Sequence, residues 1–324
     1  MGRDGLMISV IIVNFNGRKY LERCLSSLSL QTFCDYEVIV VDNASSDGSL
    51  AYLEEYFPDA KLVQSRENLG FAGGVNAGIR VASGEYIMTL NNDTRVDPDC
   101  LFQLLAAMDQ DESVGMVAAK MLFFDRRINS TGICISRSGA AWDRGMYEED
   151  TGQYDRIEEV FGPCGGAALY RRLMLEEVGL FDEDFFLYME DVDLAFRARL
   201  LGWRCVYTHH ARVYHIHGGT AGIGSELAVY YGNRNILWYV LKDYPARILI
   251  TSLPWIIGRN LAVIPYYMIK GRGLAILKSK IGALRGVPAM IGKRKMVRQT
   301  VLDSEIMRFM STWSSVGRYQ DVVC

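Results

Sequence analysis

The chain of 324 residues contains seven cysteines but no C-x-x-C pair. The cysteines are scattered along the sequence and odd in number, so neither a disulfide framework nor a structural zinc site is expected. A reducing compartment fits this cysteine usage best. Residues 1–17 also lack the layout of a signal peptide, because their apolar run is short and no small-residue cleavage site follows it.

Acidic residues are missing from a long stretch towards the C-terminus. Residues 244–302 hold 11 Lys or Arg and no Asp or Glu, whereas residues 1–243 hold 22 basic and 35 acidic residues. An acidic front and a basic, apolar back predict two environments, one aqueous and one at anionic lipid. Basic and aromatic residues are not interleaved as in RNA-binding proteins, so nucleic acid is not an expected partner.

An uninterrupted apolar run of about 20 residues, which a membrane-spanning helix requires, is also missing. The nearest candidates are residues 248–258 and 260–269, which Arg259 separates, so a full span is not favoured. Residues 274–285 carry one apolar stripe flanked by basic side chains. This pattern predicts an amphipathic helix that either packs on its own domain or lies on a membrane. We favour peripheral or monotopic association of residues 244–324 with the cytoplasmic face of the membrane.

Apolar runs alternate with helix-period segments in the first 120 residues. Short apolar runs at 7–13, 38–41, 60–64, 86–90 and 114–118 are typical of buried strands. Strand and helix alternation at this spacing predicts an α/β fold with a mostly parallel central sheet and helices on both faces.

Polar side chains follow three of these strands. They are Asn14 and Asn16 after the first strand, Asp42 and Asn43 after the second, and Asn91, Asn92 and Asp93 after the fourth. Each set alone is typical of turns and helix caps. Together on one sheet edge, where open parallel sheets bind ligands, they favour a nucleotide site. No G-x-G-x-x-G follows the first strand and no Walker A motif occurs, but the Gly-rich segment 68–76 could bring backbone N–H groups near phosphate.

Five segments, in this order, resemble the inverting glycosyltransferases of family 2: VIIVNFNG, VVDNASSDGS, ENLGFAGGVNAGI, LNNDT and FFLYMEDVDLAFRARLLGW. The similarity covers about residues 7–240 and is greatest to the rhamnosyltransferase-like or galactofuranosyltransferase-like branch. It implies a GT-A domain over residues 1–243, with a donor half at about 1–120 and an acceptor half at about 121–243. Residues 244–324 would form the helical membrane-associating region. The resemblance also implies a nucleotide-sugar donor and Mg²⁺ or Mn²⁺.

The resemblance assigns roles to individual residues. Asp93 is the expected metal ligand, because it is the one carboxylate left of the acidic motif in Asn91-Asn92-Asp93. His215 or His217 would complete the metal shell, and the spacing from Asp191 favours His215. Donor binding is expected from Asn14, Asn16, Asp42 (at the base), Asn43, Asn68, Gly70, Asn76, Asn91, Asn92 and Asp93.

The segment Glu190-Asp191-Val192-Asp193 opens a predicted helix. A positioned carboxylate can take the proton of an attacking hydroxyl, although acids in a first helical turn also simply complement the helix dipole. With the resemblance and the preceding aromatic run, we favour Asp191 as the catalytic base, with Glu190 second and Asp193 third. Acceptor contacts are expected from Tyr188, Gly165 and Gly166.

The leading hypothesis is an inverting, metal-dependent glycosyltransferase that moves rhamnose from dTDP-rhamnose to a lipid-linked saccharide in polysaccharide or cell-envelope assembly. UDP-hexoses stay open as donors, and the oligomeric state is open. One alternative is a processive polysaccharide synthase, although the Q-x-x-R-W motif of that class is not evident. Another is a nucleotide-sugar-binding protein without catalysis, which Asn91-Asn92-Asp93 supports and Asp191 opposes.

Overall fold

The computed structural model describes residues 7–216 and 224–312. The first part contains, in chain order, β1 (Ile8–Asn14), α1 (Arg18–Leu28), β2 (Tyr36–Asp42), α2 (Ser49–Tyr56), β3 (Lys61–Gln64), α3 (Gly70–Val81), β4 (Tyr86–Asn91), β5 (Thr94–Val96), α4 (Cys100–Met108) and β6 (Val114–Phe123). The middle contains β7 (Ile128–Ser130), β8 (Ile133–Ser136), β9 (Ala141–Asp143), β10 (Glu158–Val160), β11 (Ala167–Arg171), α5 (Arg172–Val178), a 3₁₀ turn (Glu183–Phe185), α6 (Glu190–Leu200) and β12 (Arg204–His215). The last part contains α7 (Glu226–Asp243), α8 (Ala246–Ile269), α9 (Gly273–Arg294), α10 (Asp303–Met307) and β13 (Met310–Ser311).

A ten-stranded sheet organises the chain, in the order β10-β12-β6-β11-β4-β1-β2-β3, with β5 on β12 and β7 on β6. The strands β3, β2, β1 and β4 are parallel neighbours, and β6 is parallel to β12. β11 runs antiparallel between β4 and β6. The mostly parallel sheet predicted from the sequence is therefore confirmed, and the carboxyl ends of β1, β2 and β4 meet at one edge.

Helices cover both faces of this sheet, as the strand and helix alternation predicted. Ile8, Val10 and Ile12 of β1 belong to a buried cluster with α1 and α4, whereas Ile11 belongs to the opposite cluster with α3. Successive side chains of a strand point to opposite faces, so one strand serves both cores. The apolar stripe of α1 (Leu21, Cys24, Leu25 and Leu28) is buried throughout.

Helix α3 lies unusually close to β1. A Cβ at Gly74 would lie 2.7 Å from a methyl carbon of Val13, and one at Gly78 would lie 2.5 Å from a methyl carbon of Ile11. Real side chains do not fit at such distances, so both positions require glycine. This close packing brings the N-terminus of α3, at Gly70, to the sheet edge where the three strands end.

Strand β12 is a single strand that runs from Arg204 to His215. A register shift between Thr208 and Arg212 bulges the chain, but pairing with β6 resumes beyond it. A bulge inserts residues into a strand without ending the ladder. The resumed strand pairs His215 with Thr94 of β5. Because Thr94 directly follows Asp93 in the sequence, this pairing brings His215 close to Asp93.

Helix α8 runs continuously through the two apolar stretches, 248–258 and 260–269, that Arg259 separates in the sequence. Arg259 does not interrupt it, because the side chain turns inward and is 8% exposed, with Nη2 3.4 Å from Oδ1 of Asn233 in α7. Within the described ranges, α8 is the one helix whose length and apolar composition would suffice to cross a membrane. Helix α9 includes the predicted amphipathic segment 274–285 and packs along α7.

Candidate active site

A cavity of about 390 Å³ opens at the carboxyl ends of the central strands. We call it the cleft. Its walls come from the ends of β1, β2 and β4, the start of α3, the small sheet of β8 and β9, and the first turns of α6 and α7. The residues predicted from the sequence that line it are Asn43, Asn68, Gly70, Asn91, Asn92, Asp93, Gly165, Gly166, Tyr188, Glu190, Asp191 and His215.

Three predicted donor residues lie behind or beside the cleft lining. Asn14 is fully buried, and its Nδ2 donates to Oδ1 of Asp42 at 3.4 Å while its Oδ1 accepts from Nδ2 of Asn92 at 2.7 Å. Asp42 also accepts from the backbone N–H of Ser45 at 3.1 Å. Asn16 is exposed, and its Oδ1 accepts from the backbone N–H of Ser46 at 2.8 Å. These amides and the carboxylate tie the strand ends together.

Asn43 and Asn68 hold the Gly-rich segment in shape. Nδ2 of Asn43 donates to Oδ1 of Asn68 and to the carbonyl oxygen of Gly70, both at 2.9 Å. Gly70 has φ +70°, and a Cβ there would lie 2.2 Å from the carbonyl oxygen of Phe186. Only glycine fits this left-handed, crowded position. The start of α3 is thus fixed against the loop that carries Phe186.

Asn76 lies outside the cleft lining, although it was predicted to bind the donor. It is buried, and its Nδ2 donates to the carbonyl oxygen of Phe181 at 2.8 Å and to Oε1 of Glu183 at 2.9 Å. Its Oδ1 accepts from the backbone N–H of Phe181 at 3.1 Å. In this arrangement the side-chain amide of Asn76 is fully hydrogen-bonded to Phe181 and Glu183, so it anchors the segment that leads to Glu190 and Asp191.

Asp93 and His215 both line the cleft and contact each other. Oδ1 of Asp93 lies 3.0 Å from Nε2 of His215, and Nδ1 of the histidine lies 2.9 Å from Oδ1 of Asn129. Because Asn129 Oδ1 can only accept, Nδ1 is the donor in this contact, and Nε2 faces the carboxylate of Asp93. His217, the other predicted ligand, lies outside the described residues. No third His, Cys, Asp or Glu joins this pair into a metal-binding group in the part of the chain that the structure describes.

Asp191 and Glu190 lie together at the start of α6 and also line the cleft. Asp191 accepts two backbone hydrogen bonds, from Gly165 to Oδ2 at 2.9 Å and from Val192 to Oδ1 at 2.8 Å. Burial raises the pKa of Asp191 above its ordinary value, although these N–H groups oppose the shift. Burial, followed by the Asp191 carboxylate, raises the pKa of Glu190 well above its ordinary value. Hydrogen bonds from backbone N–H groups stabilise the ionised form of a carboxylate, so Asp191 ionises more readily than the buried Glu190 beside it.

Asp193 lies outside the cleft lining. Its side chain is fully buried and forms ion pairs with Arg197, at 2.8 Å, and with Lys242 of α7. Its carboxylate is therefore matched by two cations that join α6 to α7. This placement sets Asp193 apart from the two acids that face the cavity.

The loop before α6 is strained. Phe186, Tyr188 and Met189 have φ of 65°, 67° and 69°, and each such residue costs of order 1–3 kcal/mol unless its surroundings enforce it. Helix α7 supplies that enforcement. Nδ2 of Asn235 lies 2.9, 2.9 and 2.7 Å from the carbonyl oxygens of Phe185, Leu187 and Tyr188, and Nη2 of Arg234 donates to Asp184 and Phe185.

Asp143 and Trp142, at the end of β9, also line the cleft, and no sequence motif indicated either. Burial raises the pKa of Asp143 to about 6, with a further contribution from Asp191, while a hydrogen bond from Ser130 opposes the shift. Oδ1 of Asp143 is buried without a hydrogen-bond partner within the described residues. The end of β9 thus offers the cleft a carboxylate and an indole, two groups that commonly bind sugar hydroxyls and sugar faces.

Residues 9–179 match the family model described as "Glycosyl transferase family 2". The chain belongs to this family. It is 29% identical, over 82% of its length and 93% of the relative's, to the N-acetylglucosaminyl-diphospho-decaprenol L-rhamnosyltransferase of Mycobacterium tuberculosis. It is 31% identical to the O-antigen biosynthesis protein RfbC of Myxococcus xanthus, over 63% of this chain and 17% of the relative.

Solved structures confirm the predicted GT-A fold of this family 2 glycosyltransferase. The mannosyltransferase PcManGT from Pyrobaculum calidifontis, in complex with GDP-Man and Mn²⁺, has a TM-score of 0.54 at 20% identity, covering 89% of this chain and 86% of that one. GalNAc-T7 with UDP, GalNAc and Mn²⁺ has a TM-score of 0.64 at 15% identity, covering 90% and 57%. At these identities the similarity concerns the fold.

Proposed function

We propose that this glycosyltransferase moves rhamnose from dTDP-rhamnose, with inversion and with a divalent cation, to a lipid-linked saccharide at the cytoplasmic membrane face. The observation that carries the proposal is the shared cleft, which is lined by Asp93 and His215 and also by Asp191. Sugar transfer needs a site for the leaving diphosphate and a base for the incoming hydroxyl, and one cavity offers both.

Asp191 is the group best suited to accept the proton of the acceptor hydroxyl. Its pKa is raised by burial, which makes it a better base than an ordinary aspartate, while the two backbone N–H groups still favour its anion. Burial and the neighbouring Asp191 raise the pKa of Glu190 well above its ordinary value, so Glu190 is less suited to act as the anionic base. The hydroxyl proton passes to Asp191 as the acceptor oxygen bonds to the anomeric carbon and the nucleoside diphosphate leaves.

Asp93 and His215 fit a divalent cation. A carboxylate oxygen and an imidazole nitrogen face each other at 3.0 Å, and the second imidazole nitrogen is held by a carbonyl-type oxygen of Asn129. Such an outer partner is the common arrangement of metal-binding histidines. A bound Mg²⁺ or Mn²⁺ would neutralise charge on the leaving diphosphate. Two protein ligands are enough when phosphate oxygens supply others.

The choice of sugar and acceptor is supported by the mycobacterial relative, whose name specifies L-rhamnose and an N-acetylglucosaminyl-diphospho-decaprenol acceptor. That similarity extends over 82% of this chain, beyond the family core and into the C-terminal helices. The cleft wall made by Trp142, Asp143 and Tyr188 would then hold the saccharide end of the acceptor. An indole face and a buried carboxylate oxygen suit a sugar ring and its hydroxyls.

Purified enzyme tests the proposal directly. The enzyme is incubated with Mn²⁺ or Mg²⁺, a short-chain polyprenyl-diphospho-N-acetylglucosamine, and in parallel dTDP-rhamnose, UDP-galactofuranose or UDP-glucose. We expect one rhamnose per acceptor from dTDP-rhamnose, with inverted anomeric configuration by NMR. Repeated addition would favour the processive alternative. Donor binding without transfer from any sugar would favour the non-catalytic alternative.

A further inference from the structure

Helices α8 and α9 each present an apolar stripe that the rest of the described chain leaves uncovered. Leu261 of α8 is 67% exposed and Leu284 of α9 is 72% exposed. The other exposed members are Ile250, Leu253 and Ile257 in α8 and Leu274, Leu277 and Ile281 in α9. Uncovered apolar surface of this extent on two adjacent helices marks a partner surface. We call α8, α9 and the turn between them the hairpin.

The charge of the hairpin suits an anionic partner. Arg259 is turned inward, so the exposed stripe of α8 is free of charge between Ile250 and Leu261. Lys270, Lys278 and Arg285 are exposed around the stripes, and no acidic residue occurs in 244–302. Long basic side chains beside apolar stripes can reach lipid phosphates while the stripes enter the acyl boundary.

Helix α8 contacts the rest of the protein near its start, in its middle and near its end. Ile248 near its start, Ile256 in the middle and Tyr267 near its end are all buried. The helix of 24 residues would measure about 36 Å, enough to cross a bilayer. If α8 crossed the bilayer, these three side chains would lose their contacts with the rest of the protein, and Arg259 would be exposed to lipid, which is energetically costly. The packing therefore favours a helix that lies in the plane of the membrane surface.

The turn of the hairpin lies beside the cleft. On the first turn of α7, Leu227 and Ala228 line the cleft. The next residue, Val229, packs with Tyr267 at the end of α8 and with Ala275 and Ile276 at the start of α9, on either side of the turn. Adjacent residues of one helix thus contact the cleft and the hairpin turn. At that turn Ile269 is 85% exposed, which makes it the most exposed apolar side chain of the hairpin.

We propose that the hairpin is a monotopic docking surface that lies in the plane of an anionic bilayer and sets the cleft mouth at the headgroup level. The stripes of α8 and α9 enter the acyl boundary, the basic residues bind lipid phosphates, and α7 couples this surface to the cleft. The delivery of a lipid-linked acceptor to the cleft rests on the proposed function, whereas membrane docking does not.

Vesicle flotation of the full-length protein tests docking. Wild type is expected to bind vesicles of phosphatidylcholine with 30% phosphatidylglycerol at least tenfold more than phosphatidylcholine alone. Leu261→Glu/Leu284→Glu should lower binding at least tenfold. The matched control Leu30→Glu/Leu173→Glu, at side chains 68% and 61% exposed elsewhere, should bind like wild type. Equal binding by all three proteins, or equal loss in both variants, would overturn the proposal.

Transfer assays separate docking from catalysis. With a water-soluble acceptor, both double variants should keep the wild-type rate. With a full-length polyprenyl acceptor in vesicles, only Leu261→Glu/Leu284→Glu should fall, by about tenfold. Equal rates with the vesicle acceptor would contradict delivery through the hairpin. Absence of transfer by the wild type with either acceptor would refute the proposed function, and flotation would still report on docking.

Labelling from one side of sealed vesicles tests the in-plane orientation. Ala246→Cys and Lys270→Cys, at the two ends of α8, are made in a Cys34→Ser/Cys324→Ser background. A charged maleimide added outside should label both cysteines at rates within a few-fold. Protection of one end until detergent is added would show a spanning helix and overturn the in-plane arrangement.

Discussion

Asn235 is expected to position the catalytic base Asp191 without contacting it. Its Nδ2 is the shared donor to three carbonyl oxygens in the loop that ends at α6. In Asn235→Leu, the side chain keeps a similar volume but loses these hydrogen bonds. At about 1 kcal/mol per hydrogen bond, roughly 2–3 kcal/mol of support disappears. The strain of Phe186, Tyr188 and Met189, of order 1–3 kcal/mol each, is then no longer offset.

The relaxed loop should remove Asp191 from its productive position for most of the time. If the competent arrangement falls to between 10% and 1%, about 1.4–2.7 kcal/mol, kcat falls roughly 10- to 100-fold. Dissociation constants of the nucleotide sugar should stay within about threefold, because Asp93 and His215 are unchanged. The assay is initial-rate kinetics with saturating donor and acceptor, combined with calorimetric titration of the donor.

Asn233→Leu is the matched control. Asn233 is on the same helix and equally buried, but its Nδ2 donates to the carbonyl oxygen of Val229 and its Oδ1 accepts from Nη2 of Arg259 in α8. Neither contact involves the loop before α6. Both variants should lose stability in urea unfolding, and only Asn235→Leu should lose kcat. A normal kcat in Asn235→Leu, or an equal loss in both variants, would refute the positioning role.

Three further outcomes are expected. His215→Gln should raise the Mn²⁺ concentration for half-maximal donor binding at least tenfold; unchanged metal dependence would remove the histidine from the metal site. Asp143→Asn should raise the acceptor KM about tenfold, since hydrogen bonds to charged groups contribute about 1.5–3 kcal/mol. It should also remove the rise near pH 6 from the pH profile of kcat/KM for the acceptor, because Asp143 is ionised only above its pKa of about 6. An unaltered pH profile would argue against acceptor contact. Gly70→Ala should lower kcat at least tenfold, because its Cβ would collide with the carbonyl oxygen of Phe186; a wild-type rate would show that the loop can move freely.

The parallel strands and their polar ends could be predicted because they follow local patterns. Apolar runs such as those of β1 and β2 can be recognised directly in the sequence. Because these strands are parallel, the residues that follow them lie at the same edge of the sheet. The gathering of Asn14, Asp42 and Asn92 at that edge follows from strand order and register.

Other features depend on contacts between distant parts of the chain. Helix α7 was not predicted, since Asn233, Arg234 and Asn235 interrupt its apolar pattern, and their partners lie up to 50 residues away. Asp143 stands on a three-residue strand with no motif around it. Arg259 looked like an interruption because its inward direction depends on Asn233 of another helix. Sequence periodicity contains no information about such pairings.

The central claim is that one cleft binds the nucleotide sugar and separately activates the acceptor through Asp191. The most direct test is Asp191→Asn, measured for donor affinity by calorimetry and for transfer to the soluble acceptor by single-turnover kinetics. We expect a donor dissociation constant within about threefold of wild type and a transfer rate lower by roughly 10²- to 10⁴-fold, the usual contribution of a general base. A transfer rate within threefold of wild type would contradict it.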